Sequence, residues 1–466
     1  MSRLRRMAAP LVLAVGGGLF AAAPAAEAAP VACDTTSTPY TYVVTYQPGT
    51  REPAVDKELA AKCGTKVAYY AEIGVAIASS RNVDFQQKIG VYRAYSGAKD
   101  VASQGSAASA RTSLGAVRTL EDTRSVAAAG DLSAQQWDMK AIHAPEANKI
   151  YQGSRAVTVG VLDSGIEATH PALKAAVDPA ASAGCVTGAP DSTPASWAPT
   201  TSDHGTHVAG TIAGKDQAAG FTGVAPGVRL AAVKVVNDSG YIFPESAVCG
   251  FVWAARHGFA VTNNSYYIDP GLFYCPKQPG DAAAFEAVRR AVEFSTRRGV
   301  LNVAAAGNDG LDTTKPETDP NRPHPVDSTC GILPKAIDGV VNVSSVGYAG
   351  TKSGFSNYGN IDVTAPGGDF AQTPPEGAGP ACPLSTVVGG KYGSKCGTSM
   401  ASPHAAGVAA LIASRHRGIP PQLLTKFLEN EADAVKCAAT DTACTGPAKN
   451  NSYYGHGLVD ALDAVR

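Results

Sequence analysis

The stretch Ala156-Val157-Thr158-Val159-Gly160-Val161-Leu162-Asp163 (AVTVGVLD) is a nearly unbroken apolar run that ends on a carboxylate. A strand with one wet face alternates apolar with polar residues. This one does not, as expected of a strand buried on both faces of a parallel sheet. Comparable runs recur at 229–236, 260–262, 300–305 and 339–346. Helical patterns lie between them, at 245–257 and at 281–297, where Phe285, Val288 and Val292 share one face. The alternation predicts an α/β domain with a doubly wound, mostly parallel sheet, spanning 131–466. In such sheets functional sites gather outside the carboxyl ends of the strands. Asp163, followed by Ser164 and Gly165, is therefore a candidate site residue, against the plainer reading of an aspartate capping a turn.

Composition narrows the classes. The chain has 466 residues, 44% apolar and only 17% charged, with a formal net charge of −1. Soluble domains average about 25% charged residues. Such a balance offers no field to recruit nucleic acid or an anionic membrane. Arg3, Arg5 and Arg6 precede an apolar run at 11–23 and an Ala26-Glu27-Ala28 cleavage pattern. That is the three-part form of a secretory signal peptide, 1–28, and the run is too short for a membrane anchor. A secreted, extracellular, monomeric protein is expected. Ten cysteines then read as disulfides. Cys33 and Cys63 form one set, and the eight from Cys185 onward another, with Cys382–Cys396 and Cys437–Cys444 the favoured near-neighbour pairs.

Residues 31–96 carry a β-α-β-β-α order: strand 40–46, helix 52–63, two strands within 66–79 broken at Gly74, and helix 82–96. That is a small two-layer α+β domain. Residues 97–130, rich in Ala, Ser, Gly and Arg, read as a flexible linker. Insertions at 178–202, 309–330 and 366–396 read as surface loops.

Two further polar clusters join Asp163. Asp203-His204-Gly205-Thr206-His207 opens an apolar helical run, and spacing alone does not choose between His204 and His207. Gly397-Thr398-Ser399-Met400-Ala401-Ser402-Pro403-His404 puts a serine at a helix start. There it is either a cap or a nucleophile whose own N–H faces a developing oxyanion. Asp, then His, then Ser is a known chain order for a catalytic triad.

The segments VLDSGIEATHP, DHGTHVAGTIAG and GTSMASPHAAG, with the closing YYGHGLVDAL, resemble the signatures of the subtilisin-like serine proteases (subtilases, peptidase family S8). The resemblance implies a secreted serine endopeptidase acting on protein or peptide substrates through an acyl-enzyme. Asp163 would orient His204, His204 would take the proton of Ser399, and Ser399 would attack the carbonyl. Asn308, in Ala304-Ala305-Ala306-Gly307-Asn308, matches the family's oxyanion asparagine. Where relatives carry SLGG this chain has Ser265-Tyr266-Tyr267-Ile268, so Ser265, Tyr266 and Tyr267 are implied to meet substrate, with Gly331 beside the primary pocket. Lys215-Asp216-Gln217-Ala218-Ala219 lacks the Asn-rich pattern of the usual calcium loop, so a structural calcium stays possible but unsupported and no cofactor is assigned. Residues 31–96, through TYVVTYQPG and the element order, resemble the inhibitory propeptides of these enzymes. They would act as an intramolecular inhibitor, with the maturation cut in 97–130. A retained binding domain is the alternative. An inactive protease-fold binding protein and an esterase with the same triad remain the rival functions.

Overall fold

The computed structural model describes residues 33–104, 121–126, 130–319, 321–322 and 324–466. The expected signal peptide, 1–28, and residues 105–120 and 127–129 of the 97–130 stretch lie outside them. The first part holds β1 (Tyr40–Thr45), β2 (Thr65–Tyr70), β3 (Val75–Ser80) and β4 (Ala94–Tyr95), in the antiparallel order β2-β3-β1-β4. Helices α1 (Glu52–Ala61), α2 (Phe85–Ile89) and α3 (Gly97–Gln104) accompany them. Val55, Leu59 and Phe85 bury against Tyr42, Val44 and Ala76 on one face of the sheet. The helix expected over 82–96 is only the five residues of α2. Gly90, at φ 120°, ends it in a conformation open to glycine, and the chain then returns to pair β4 with β1.

From Glu121 the strands are β5 (Glu121–Val126), β6 (Thr158–Asp163), β7 (Ala183–Gly184), β8 (Lys215–Asp216), β9 (Phe221–Thr222), β10 (Arg229–Lys234), β11 (Val261–Asn264), β12 (Leu301–Ala305), β13 (Val340–Val346), β14 (Val363–Pro366), β15 (Leu384–Val387) and β16 (Lys391–Lys395). The helices used below are α4 (Trp137–Ala141), α5 (His204–Ala213), α6 (Pro244–Arg256), α7 (Asp281–Arg297) and α8 (Thr398–Arg415). Seven strands form a parallel sheet in the order β14-β13-β12-β11-β6-β10-β7. Its two faces bury different neighbours. Val159, Val161, Val261 and Val303 pack with Val208 and Ile212 of α5 and Ala405 and Val408 of α8. Leu162, Ala231, Val233 and Ala304 pack with Val248 and Phe251 of α6 and Val288 of α7. This double covering is why the strands read as continuous apolar runs.

Stretches expected as a flexible linker or as surface loops are partly ordered. The 97–130 stretch contributes α3 and β5, and 366–396 contains the β15–β16 hairpin. β5 pairs antiparallel with β16, Glu121 opposite Lys395 and Val126 opposite Tyr392. Strand addition at a sheet edge runs on main-chain hydrogen bonds, so the apolar pattern that marks core strands is not required.

The N-terminal sheet packs on α6 and α7. Arg290 of α7 donates to the carbonyls of Tyr46 and Ile73, and Arg256 of α6 pairs with Glu72 at 2.9 Å. The Tyr70 hydroxyl donates to the Gly188 carbonyl at 2.6 Å. Gly188 is closely wedged, because a methyl group there would meet Ile77 of β3 at 2.8 Å and Glu245 of α6 at 3.0 Å. All ten cysteines are paired, as Cys33–Cys63, Cys185–Cys249, Cys275–Cys330, Cys382–Cys396 and Cys437–Cys444. Both favoured near-neighbour pairs are closed, and each bridge stays within its own part of the chain.

Candidate active site

β6 delivers Asp163 at its carboxyl end, and α5 begins on His204; both side chains are buried. His204 Nδ1 lies 2.9 and 3.0 Å from the two carboxylate oxygens of Asp163. A second bond fixes the carboxylate, because Oδ1 accepts from the Ser164 N–H at 2.7 Å. The pair therefore sets the imidazole tautomer with its proton on Nδ1 and leaves Nε2 as a base. His204 Nε2 is buried and has no hydrogen-bond partner. A buried ring nitrogen without a partner is costly in a purely structural histidine.

His207 behaves differently. Its Nε2 lies 3.1 Å from the Gly393 carbonyl, and burial drives its proton affinity well below the usual imidazole range. Lys395 and His204 push in the same direction. Neither histidine belongs to any metal-capable grouping among the described residues.

Ser399 stands at the start of α8 and is buried. Its Oγ donates to the Ser265 carbonyl at 3.2 Å rather than to His204, so the structure brings Asp163 and His204 into direct contact while the serine hydroxyl bonds elsewhere. α5 and α8 bury side chains in one cluster, which keeps both residues on neighbouring elements. Asn308 is fixed through its side-chain oxygen, which accepts from the Thr398 N–H and hydroxyl, each at 2.8 Å. That leaves its Nδ2 free to donate outward. A carbon added at Gly397 would lie 3.5 Å from Asn308 Nδ2 and 3.6 Å from the Ser399 N. The two donors thus border one small space, as stabilising an oxyanion requires.

The expected substrate contacts separate. Ser265 is fully buried against Ser399. Tyr266 points into the core and donates to Asn264 Oδ1 at 3.1 Å, and burial raises its phenol well above the usual range. Tyr267 packs on the cluster of Leu272, Phe273 and Ile332. Gly331 bridges to Tyr274 and lines a polar cavity of about 650 Å³ shared with Thr313, Asn342 and Asp362. Lys335 in that cavity is pushed down to about 8 by burial. The Asp216 carboxylate of the Lys215–Ala219 loop is taken up by the N–H groups of Ala218 and Ala219 and the Tyr392 hydroxyl.

Several residues around the serine were not foreseen from sequence. Asn263 Nδ2 donates to Ser265 Oγ, and Ser402 Oγ donates to Asn263 Oδ1. His404, one turn past Ser399, is buried between the Met400 carbonyl and Asp138 of α4. A signal was present: Thr262-Asn263-Asn264-Ser265 is a polar run that ends a strand buried on both faces.

Comparison with known proteins points the same way. The family model described as "Subtilase family" matches residues 154–457. Subtilisin DY from Bacillus licheniformis is 32% identical over 317 residues, 68% of this chain and 93% of that protein. Subtilisin Savinase from Lederbergia lenta is 31% identical over 334 residues, 71% of this chain and 98% of that protein. In fold, the chain is similar to the epidermin leader peptide processing serine protease of Staphylococcus aureus, with a TM-score of 0.70 at 20% identity. That likeness covers 92% of this chain and 98% of the other, more than residues 131–466 make up, so it takes in the N-terminal domain.

Proposed function

The chain belongs to the subtilase family of serine endopeptidases, and from that premise we propose that Asp163, His204 and Ser399 are its catalytic triad, in an exported enzyme made as a self-inhibited precursor. The observation that carries the reading is the buried Asp163–His204 pair with Nε2 left open. In the reaction, Ser399 Oγ gives up its bond to the Ser265 carbonyl, passes its proton to His204 Nε2 and attacks the scissile carbonyl carbon. Asn308 Nδ2 and the Ser399 N–H receive the oxyanion. His204 then returns the proton to the departing amine, and water repeats the sequence on the acyl-enzyme. The vacated Ser265 carbonyl is free to accept a backbone N–H of the extended substrate.

Residues 33–96 suit an intramolecular inhibitor because they rest on α6 and α7 through backbone carbonyls and a buried apolar face. The bond cut in maturation lies between Gln104 and Glu121. α3 ends at Gln104, and β5 begins opposite Lys395, four residues before Ser399. The pairing leads the chain from the neighbourhood of the serine outward along β16, as the leaving side of a substrate would run. The expected test uses Ser399→Ala expressed in a protease-deficient host. It should accumulate as a signal-cleaved, uncut precursor, while the parent yields a fragment whose first residue falls within 105–121. Equal processing of both would assign maturation to another protease. Peptide and ester substrates assayed side by side separate an endopeptidase from an esterase, and absence of both activities in the processed parent would favour the inactive binding protein.

A further inference from the structure

We propose that Ser265 is a positioning residue for the nucleophile, its hydroxyl standing in for the helical N–H that Pro403 cannot give to the Ser399 carbonyl. The inference rests on the reading of Ser399 as the nucleophile. In a regular α-helix the carbonyl of residue 399 accepts from the N–H of residue 403. Residue 403 is a proline inside α8 and has no N–H to give. The Ser265 hydroxyl donates to that carbonyl at 2.8 Å instead.

The substitute is itself held in place. Ser402 Oγ donates to Asn263 Oδ1 at 2.7 Å, and Asn263 Nδ2 donates to Ser265 Oγ at 2.8 Å. The hydrogen bonds run from helix residue 402 to β11 and back to helix residue 399. Asn263, Ser265 and Ser402 are fully buried, so water does not reach the circuit to replace a missing member. The bonded carbonyl belongs to the same residue as the attacking oxygen, and a displacement of about 1 Å at such a point costs about 10²-fold in rate. Ser265 therefore acts on the nucleophile through its side chain.

The experiment restores the missing donor. In the full chain, Ser265→Ala is expected to lower kcat about tenfold to a hundredfold while KM stays within about threefold. Covalent labelling of Ser399 by phenylmethylsulfonyl fluoride should slow by a similar factor. Pro403→Ala gives residue 403 an N–H, and in that background the same Ser265→Ala change should cost less than about threefold on both readouts. Ser402→Ala, which keeps the Ser265 hydroxyl but opens the circuit, should show the same dependence on residue 403 with a smaller loss, and serves if Ser265→Ala does not fold. An equal cost in both backgrounds, no cost in the parent, or an effect on KM alone overturns the proposal. Labelling that persists in Ser399→Ala would instead refute the nucleophile, so the two failures are told apart.

Discussion

His204 meets Asp163 through Nδ1, whereas His207, a turn further along α5, spends Nε2 on the Gly393 carbonyl. Their substitutions should therefore differ in kind. His204→Ala is expected to lower kcat by about 10⁶, the loss seen in subtilisin for its catalytic histidine and serine alike, with the fold intact. His207→Ala should mainly lower the denaturation midpoint, since it empties a fully buried site. Steady-state kinetics beside denaturant unfolding checks both, and a reversal of the two would exchange the assignments. Asn308→Leu should cost about 10²–10³ in kcat, as removal of the corresponding donor does in subtilisin. Spacing in the sequence could not choose between the histidines, because both lie within one helical turn; only the family resemblance selected His204. Tyr266 and Tyr267 show what was within reach. Neighbouring residues of an extended chain face opposite sides, so both could not meet substrate in the same way. Tyr266 turned inward toward Asn264.

At the scale of elements, the buried strands were legible because the double covering of the sheet removes all alternation from them. β5 and the β15–β16 hairpin were not, because edge pairing draws on the main chain and leaves little trace in side-chain pattern. Their consequence for the serine runs through Cys396, which ends the hairpin two residues before Thr398 and is bridged to Cys382 over a separation of 14 residues. Closing a loop of about 15 residues stabilises by about 3 kcal/mol. Replacing both cysteines by alanine in a Ser399→Ala background, where self-digestion is absent, should lower unfolding free energy by about that amount. An unchanged denaturant midpoint would mean that the hairpin holds its place without the bridge.

At the scale of the whole molecule, the contact between the N-terminal region and the rest is expected to be coupled to protons. Glu245, in the first turn of α6, is 3% exposed, and its Oε2 has no hydrogen-bond partner. Burial raises it to about 8, opposed only by its own backbone N–H. The elements around it supply no counter-charge. β3 carries no titratable side chain, Tyr70 is spent on Gly188, and Glu72 and Arg256 pair with each other. Undocking is expected to open this carboxyl to water, where its ordinary value is near 4.5. A group raised on docking favours the docked form fully below its free value, and that contribution is lost as pH climbs toward the docked one. The domain should therefore loosen between about pH 4.5 and 8, by up to about tenfold per unit. A Ser399→Ala chain with an unrelated protease site inserted between Gln104 and Glu121, cut and then sedimented across this range, measures it. Glu245→Gln should flatten the dependence, and an unchanged slope would locate the proton elsewhere. No sequence pattern announces this group, since its value comes from burial, with Gly188 and Ile77 brought near it from distant parts of the chain.

The partition of the disulfides has a consequence for timing. Cys33–Cys63 closes within the small domain and the other four bridges within the large one. One backbone connection is thus all that holds the two at high effective concentration. Once it is severed, no reductant is needed to separate them, and dilution together with pH decides how much of the pair stays associated. A crowded producing cell would keep the pair associated; release into a large volume would start the clock.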